Sequence, residues 1–208
     1  MYENAKIESF LAEQDGTTLV IRVPNRYLGD FFYSHRIKDC EIRFNDGRTI
    51  TNEQRKKAYA TIRDIADWTG EPPEAMKEWL KYLHISRTGC RYFSLSNCSI
   101  DTAREYINTL LDYALENGII LLDFGVDRTD DIDRYLYSCL KNKRCAICGR
   151  DGEIHHVDTI GMGNNRRKLD DSKKRKICLC REHHTIAHTI GMELFSETYK
   201  VYGIIYNP

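Results

Sequence analysis

Between Cys145 and His188 the chain places three short runs, "CAIC", "EIHHV" and "KICLCREHHTIAH", which together hold four of its eight cysteines and five of its seven histidines. No other stretch restricts the fold as much. A segment this short buries little apolar surface of its own, so ligand pairs have to specify its shape. In a reducing compartment, clustered cysteines beside histidines point to metal and not to disulfides. Cys145 and Cys148 form a CxxC knuckle, and Cys180 and His183 form a CxxH knuckle. Each presents two ligands from one tight turn, and two knuckles complete the tetrahedral shell of a structural zinc. A register using Cys178 in place of Cys180 is the alternative; the CxxH spacing favours Cys180 and leaves Cys178 as a core thiol.

A second ligand set remains without sharing any residue: His155, His184 and His188. The last two are separated by four residues, so on a helix both imidazoles leave the same face. His155 then completes the set from a facing strand. Three neutral imidazoles leave coordination positions open, as a catalytic divalent ion requires, and magnesium, manganese, nickel and zinc all stay open as its identity. His156 is left over. At a strand end or bulge it can be turned toward a substrate while its neighbour faces the metal, which makes it the candidate general base.

The net charge of zero hides a division. Residues 1–140 hold 18 Lys+Arg against 23 Asp+Glu, a net of −5, and residues 141–185 hold 12 against 6, a net of +6. A basic block beside an acidic body points to an anionic partner, nucleic acid first. Within it, Arg166, Arg167, Lys168, Lys173, Lys174, Arg175 and Lys176 are the candidate phosphate contacts. No apolar run nears the ~20 residues needed to cross a bilayer. The start, "MYENAKIESFLAEQDG", has no basic region followed by an apolar core, which predicts no secretory signal, no membrane and a cytosolic location.

Elsewhere the pattern predicts an ordinary globular body. "TTLVIRV" (17–23) and "CEIRF" (40–44), with a turn at "NDG", predict a small antiparallel sheet. "TNEQ" at 51–54 is a capping box opening a helix whose face is Ala58, Ile62, Ile65 and Ala66, up to Gly70. Pro73 opens a second helix with Met76, Trp79, Leu80 and Leu83 as its core stripe. "TARE" caps a third, from about Thr102 to Asn117, which Gly118 ends. "ILLDFGV" reads as a short strand or extended exit. Cys40, Cys90, Cys98 and Cys139 read as small buried hydrophobes. The fold class is α+β, divided into a body of residues 1–126, a connecting helix over 127–143, and a zinc-stapled unit over 144–208.

Over residues 50–123, "TNEQRKKAYATIRDIADWTG", "MKEWLKYL" and "SIDTAREYINTLLDYALENGI" resemble the NinB/Orf family of phage recombination mediators. The resemblance implies a dimeric α+β domain that binds single-stranded DNA and the host single-strand-binding protein. Arg55, Lys56 and Lys57 could supply phosphate contacts there.

Over residues 144–203 the histidine set is similar to the HNH, or ββα-metal, endonucleases. Its "HH" with "HxxxH" arrangement is like that of colicin-type sites, and its knuckles are like those of zinc-stapled phage HNH proteins. The resemblance implies that His155, His184 and His188 hold the catalytic ion and that His156 is the base. It also implies phosphodiester cleavage leaving 3′-hydroxyl and 5′-phosphate ends, in phage recombination or replication within a bacterial host cytosol. The chain departs from the pattern at the middle Asn, which usually ties the loop before the second strand. Asp170, Asp171 or Ser172 stands near that place, and Asn164 and Asn165 come too early. Since phosphate contacts position without reading sequence, weak sequence preference, or preference for single-stranded or branched DNA, is expected. Two rival readings are a non-cleaving recombination mediator whose tail is a zinc-held binding module, and a zinc-ribbon interaction module with no nucleic-acid role.

Overall fold

The computed structural model describes residues 3, 5–40, 42, 47–158 and 172–207. Along the chain the elements are β1 (Lys6–Ala12), β2 (Thr17–Arg22), α1 (Leu28–His35), α2 (Asn52–Thr69), α3 (Pro73–Thr88), α4 (Ile100–Asn117), α5 (Gly125–Arg128), α6 (Ile132–Asn142), β3 (Glu153–His156), β4 (Arg175–Leu179), α7 (Arg181–Ile190), α8 (Met192–Tyr199) and β5 (Ile204–Ile205). The class is mixed α+β, with one two-stranded and one three-stranded antiparallel sheet.

The body is built from helices whose boundaries are set locally. Thr51 accepts from the Gln54 N–H and the Gln54 side chain returns to the Thr51 N–H, so the capping box forms in full. Pro73 occupies the first turn of α3, and Gly70, Gly89 and Gly118 end α2, α3 and α4 in the left-handed region. The cap of α4 is Ser99, not Thr102: the Ser99 hydroxyl accepts from the Thr102 N–H. The chain enters α4 beside the entry to α2, because Ile50 N–H donates to Cys98 O and Ile100 N–H to Arg48 O, and that pairing fixes the start one turn early.

Ile62, Ile65, Leu80, Tyr106, Ile107 and Leu110 are almost fully enclosed where α2, α3 and α4 meet. Trp79 departs from the expected stripe. It is 48% exposed and meets Tyr113 edge-on, because only Met76, Leu80, Lys81 and His84 of α3 face fully inward. "ILLDFGV" is not a strand: it bends at Leu122 and Asp123 and enters α5 at Gly125. A buried pair, Arg128 with Asp64, joins α5 to α2.

Helix α6 opens on Asp131, whose carboxylate accepts from Arg134 N–H. It packs between α4 on one side and β4 on the other, burying Leu136, Cys139 and Leu140. Tyr135 donates to Ala146 O and lies so close to Gly125 that a Cβ there would meet the phenol oxygen at 2.1 Å. One apolar cluster therefore runs continuously from Ile50 to Tyr206.

The expected strand over "TTLVIRV" is β2, but its partner is β1, "KIESFLA", where a register shift between Ile7 and Ser9 breaks the alternation. Cys40 and Ile42 lie outside any strand, and the rest of "CEIRF" with most of "NDG" falls outside the described residues. No residue of β1, β2 or α1 is buried.

Candidate metal centres and active site

The first centre is assembled by a turn and a helix start. Cys145 N–H donates to Arg150 O and Gly149 N–H returns to Cys145 O, with Gly149 at φ +69°, so the CxxCG run folds back in a tight turn. Ala146 N–H donates to Cys178 O and docks that turn on β4. Cys180 stands at the N-cap of α7 and His183 in its first turn. Four donors converge, Cys145, Cys148, Cys180 and His183, all within 4.8 Å of one another.

Cys148 Sγ lies 3.7 Å from Cys180 Sγ, and Cys145 Sγ lies 3.5 Å from His183 Nδ1. A tetrahedral zinc with bonds of ~2.3 Å to sulfur and ~2.0 Å to nitrogen sets S···S edges of about 3.75 Å and S···N edges of about 3.5 Å. These two edges match, and Cys180 Sγ to His183 Nδ1, at 3.2 Å, is about 0.3 Å short of the tetrahedral edge, so the donor set fits a structural zinc with a small adjustment. Cys178 is excluded from it: the residue sits on β4 opposite Ile154, fully buried, with its thiol pushed up to about 12 by burial. Burial also pushes Cys145 up to about 12. Cys148 goes the other way; burial raises it, but the Arg150 backbone and guanidinium outweigh that and bring it below the ordinary thiol value. Arg150 Nε donates to Cys148 Sγ at 3.3 Å, and its other arm holds Glu182.

The second centre lies between the sheet and α7. His155, from β3, is buried, His184 is half-buried and His188 is exposed, so the group opens to solvent on one side. The three rings form a nearly regular triangle, with centroids 4.7, 5.0 and 4.9 Å apart. Nε2 of His184 and Nε2 of His188 are 3.2 Å apart. Two imidazoles sharing an ion at about 2.0–2.1 Å stand roughly 3.0 Å apart in an octahedral shell and roughly 3.4 Å apart in a tetrahedral one. The observed separation fits either. Burial, and then the neighbouring His184, His188 and His156, push His155 down to about 4, so it is a neutral imidazole at physiological pH, the form that ligates.

His156 is the last residue of β3, half-buried and directly across from Lys176 on β4. The ladder does not end with it. Val157 N–H donates to Arg175 O, and the Asp158 carboxylate accepts from the Arg175 N–H at 2.7 Å and from its guanidinium at 2.7 and 3.0 Å. That clasp closes the base of the β3–β4 connection just beyond the histidine pair. It is a tie that motif reading of the sequence missed, since an Asp and an Arg 17 residues apart carry no spacing signal. Asn164, Asn165, Asp170 and Asp171 lie outside the described residues, and Ser172 is in the turn before β4.

The expected phosphate contacts divide sharply. Lys176 is buried and reaches Tyr206 O, so it faces the interior and not a ligand. Arg175 is committed to Asp158. On α2, Arg55 donates to the carbonyls of Leu95 and Ser96, and Lys57 holds Thr129 O and Asp130. These four brace the fold. Lys173 and Lys56 are exposed, Lys174 is half-buried, and Arg166, Arg167 and Lys168 lie outside the described residues.

No curated protein and no solved structure matches the chain. No helix among the described residues is long and apolar enough to cross a membrane. A family model described as "Putative HNHc nuclease" matches residues 30–207, which takes in the helices of the body from α2 onward, the connecting helix and both histidine and cysteine clusters. With more than half of its length matched, and with a ββα unit carrying the three-imidazole group, the chain belongs to this HNH nuclease family.

Proposed function

We propose that the chain is a metal-dependent DNA endonuclease that cuts at the three-imidazole centre, with His156 as general base and the Cys145, Cys148, Cys180 and His183 centre as a zinc staple. The observation that carries this reading is the placement of His155, His184 and His188 around one point open to solvent, one residue from a further imidazole. A purely structural module has no use for a second, solvent-facing group beside a closed one.

A divalent ion held there would supply electrostatic stabilisation of charge on the phosphoryl group and on the leaving 3′ oxygen. The chain's own residues do the rest. His156 accepts a proton from water as the water oxygen attacks phosphorus in line, the bond from phosphorus to the 3′ oxygen breaks, and that oxygen takes a proton to become a hydroxyl. An imidazole nitrogen can accept and release a proton, which suits it to the task. His155 is held by its strand and by burial, so the ligand set is anchored on the β3 side. The ladder continued past His156 by the Asp158 clasp keeps that imidazole from fraying with the strand end.

For the body we propose a substrate-holding role, in keeping with the resemblance of residues 50–123 to recombination mediators. What supports it is a set of exposed rings on and beside α3, Trp79, Tyr82 and Tyr92, the last two with ring centres 6.2 Å apart. Unpaired bases stack on such rings. The biological setting we propose, processing of recombination or replication intermediates, rests on that same support.

The test is cleavage of supercoiled plasmid and of single-stranded circles with magnesium, manganese, nickel or zinc. Wild type is expected to cut in a metal-dependent way, and His156→Ala to fold, bind DNA and cut about 10²–10⁴-fold more slowly. Equal rates in the two proteins would remove His156 from the role of base. Absence of cutting by wild type on every substrate, with tight single-strand binding, would replace the nuclease reading with that of a non-cleaving mediator.

A further inference from the structure

A groove of about 880 Å³ opens beside the start of α7, lined by Ile120 of the body, Arg144, Arg150 and Asp151 of the knuckle, and Arg181 and Thr185 of the helix. Its charges are mostly spoken for. Arg144 pairs with Asp151, and Arg150 pairs with Glu182 and the Cys148 sulfur. Arg181 is different: it is exposed, and among the described residues its guanidinium has no hydrogen bond or ion pair. Both acids of the groove are already matched to other arginines, so nothing within it competes for Arg181. A planar guanidinium held at a helix start with no partner is suited to a phosphate.

Its position relative to the histidines gives it a function. At 3.6 residues per turn, Arg181 and His188 are about 20° apart around the α7 axis, so the arginine heads the stripe that carries the two helix imidazoles. It lies about 4.5 Å along the axis from His184 and about 10.5 Å from His188, which matches one to three nucleotides at about 3.4 Å rise per nucleotide of a strand. The β3–β4 register orders the two flanks. Leu179, two residues before Arg181, pairs with Glu153, and Lys176 pairs with His156, so Arg181 stands at one end of the short ladder and the exposed Lys173 beyond the other. The imidazoles lie between two available cations.

We propose that Arg181 and its groove are the phosphate track on the knuckle side of the cutting site, with the nucleic-acid backbone running along α7 from the imidazoles toward the helix start. The inference rests on the nuclease reading for the position of the scissile phosphate, but its test is a binding measurement. Affinity for a short duplex and for a single strand of the same sequence is measured against salt concentration in the His156→Ala background, with Arg181, Arg181→Lys, Arg181→Ala or Arg181→Glu. Losing one phosphate contact makes the slope of log K against log salt less negative by about 0.9 for duplex or about 0.7 for single strand. Arg181→Ala is expected to show that change, Arg181→Glu a larger loss, and Arg181→Lys a near-native slope.

Zinc content checks that each variant keeps its knuckle, and a variant that loses zinc is replaced by Arg181→Gln. Unchanged slopes in Arg181→Ala and Arg181→Glu would overturn the track. The two readings fail separately. If Arg181→Glu loses affinity but wild type never cuts with any ion, the track stands and hydrolysis falls; if wild type cuts and Arg181→Glu made alone, with His156 intact, binds and cuts like it, hydrolysis stands and the track falls.

Discussion

The helical body and the knuckle unit are held by different physics although they share one apolar cluster. Around α2, α3 and α4 the interior is made of large side chains, with Ile62, Ile65, Leu80, Tyr106, Ile107 and Leu110 almost fully enclosed. Among the described residues from 143 onward, five of the eleven buried hydrophobic residues are small, Cys145, Ala146, Cys178, Cys180 and Ala187, beside Ile147, Ile177, Leu179, Phe195, Val201 and Tyr206; in the body the small ones are six of 23. Small thiols and alanines bury little area, so at about 25 cal/mol per Å² the knuckle unit draws less from its aliphatic residues than the body does. The body is shaped by side-chain volume, whereas the knuckle unit is shaped by where its ligands must meet.

The largest expected effect follows from that contrast. A structural zinc contributes on the order of 10 kcal/mol of folding free energy to a small unit. Removing it with a chelator, or weakening the site with Cys148→Ser, is therefore expected to open β3, β4 and α7 while α2 and α4 stay folded. Amide hydrogen exchange checks this: fast exchange of Ile154, Ile177 and Ala187 with continued protection of Ile62 and Leu110 is the expected pattern. If all five lose protection together, α6, which packs on both α4 and β4, transmits the collapse, and the two regions are one cooperative unit.

A smaller effect separates the regions by pH. His84 is buried in the body against Phe93 and Tyr106, with a hydrogen bond to the Thr109 hydroxyl, and burial pushes it down to about 4 from 6.5. Between these values the unfolded chain binds a proton that the folded chain does not, so stability rises with pH there and is lost as pH falls from 6.5 toward 4. The integrated loss is on the order of 3 kcal/mol. Denaturant unfolding of the zinc-loaded protein at pH 7 and pH 5 is expected to show about 2 kcal/mol of it, and His84→Gln, which cannot charge, is expected to flatten the body's share of the slope. Acid also protonates the cysteine ligands and releases metal, so exchange at Ile154 and Ala187 reports the knuckle separately.

Which features could be read from residues alone follows from how far apart the deciding partners lie. The capping box at Thr51 and Gln54, and the pairs Cys145 with Cys148, Cys180 with His183 and His184 with His188, were legible because local spacing encodes them; that the two knuckles meet and that His155 joins the helix imidazoles depends on the fold. The cap of α4 was not. Ser99 and Thr102 both satisfy the capping rule, and only the pairing of Ile50 and Ile100 with residues across the body decides between them. The cations were misjudged for the same reason. The partner of Lys57 is 72 residues away at Thr129, and Lys176 is turned inward by Tyr206. Arg181 went unremarked because its significance is the lack of a partner, which no motif records.

The smallest expected effect concerns a third region, which neither core nor metal holds. β1 and β2 bury no side chain, and Phe10 and Leu11 are 72% and 60% exposed. An isolated two-stranded hairpin is marginal in water, and the family match begins only at residue 30. Removing residues 1–26 is thus expected to leave the zinc content unchanged and to move the melting midpoint by no more than about 2 °C, the shift that about half a kcal/mol gives at this size. A larger drop, with faster exchange in α2 or α4, would mean that the hairpin's apolar side chains lie against the body in solution. The contrast between the other two regions would then need redrawing, because part of the body's stability would come from a segment that contributes nothing to its core.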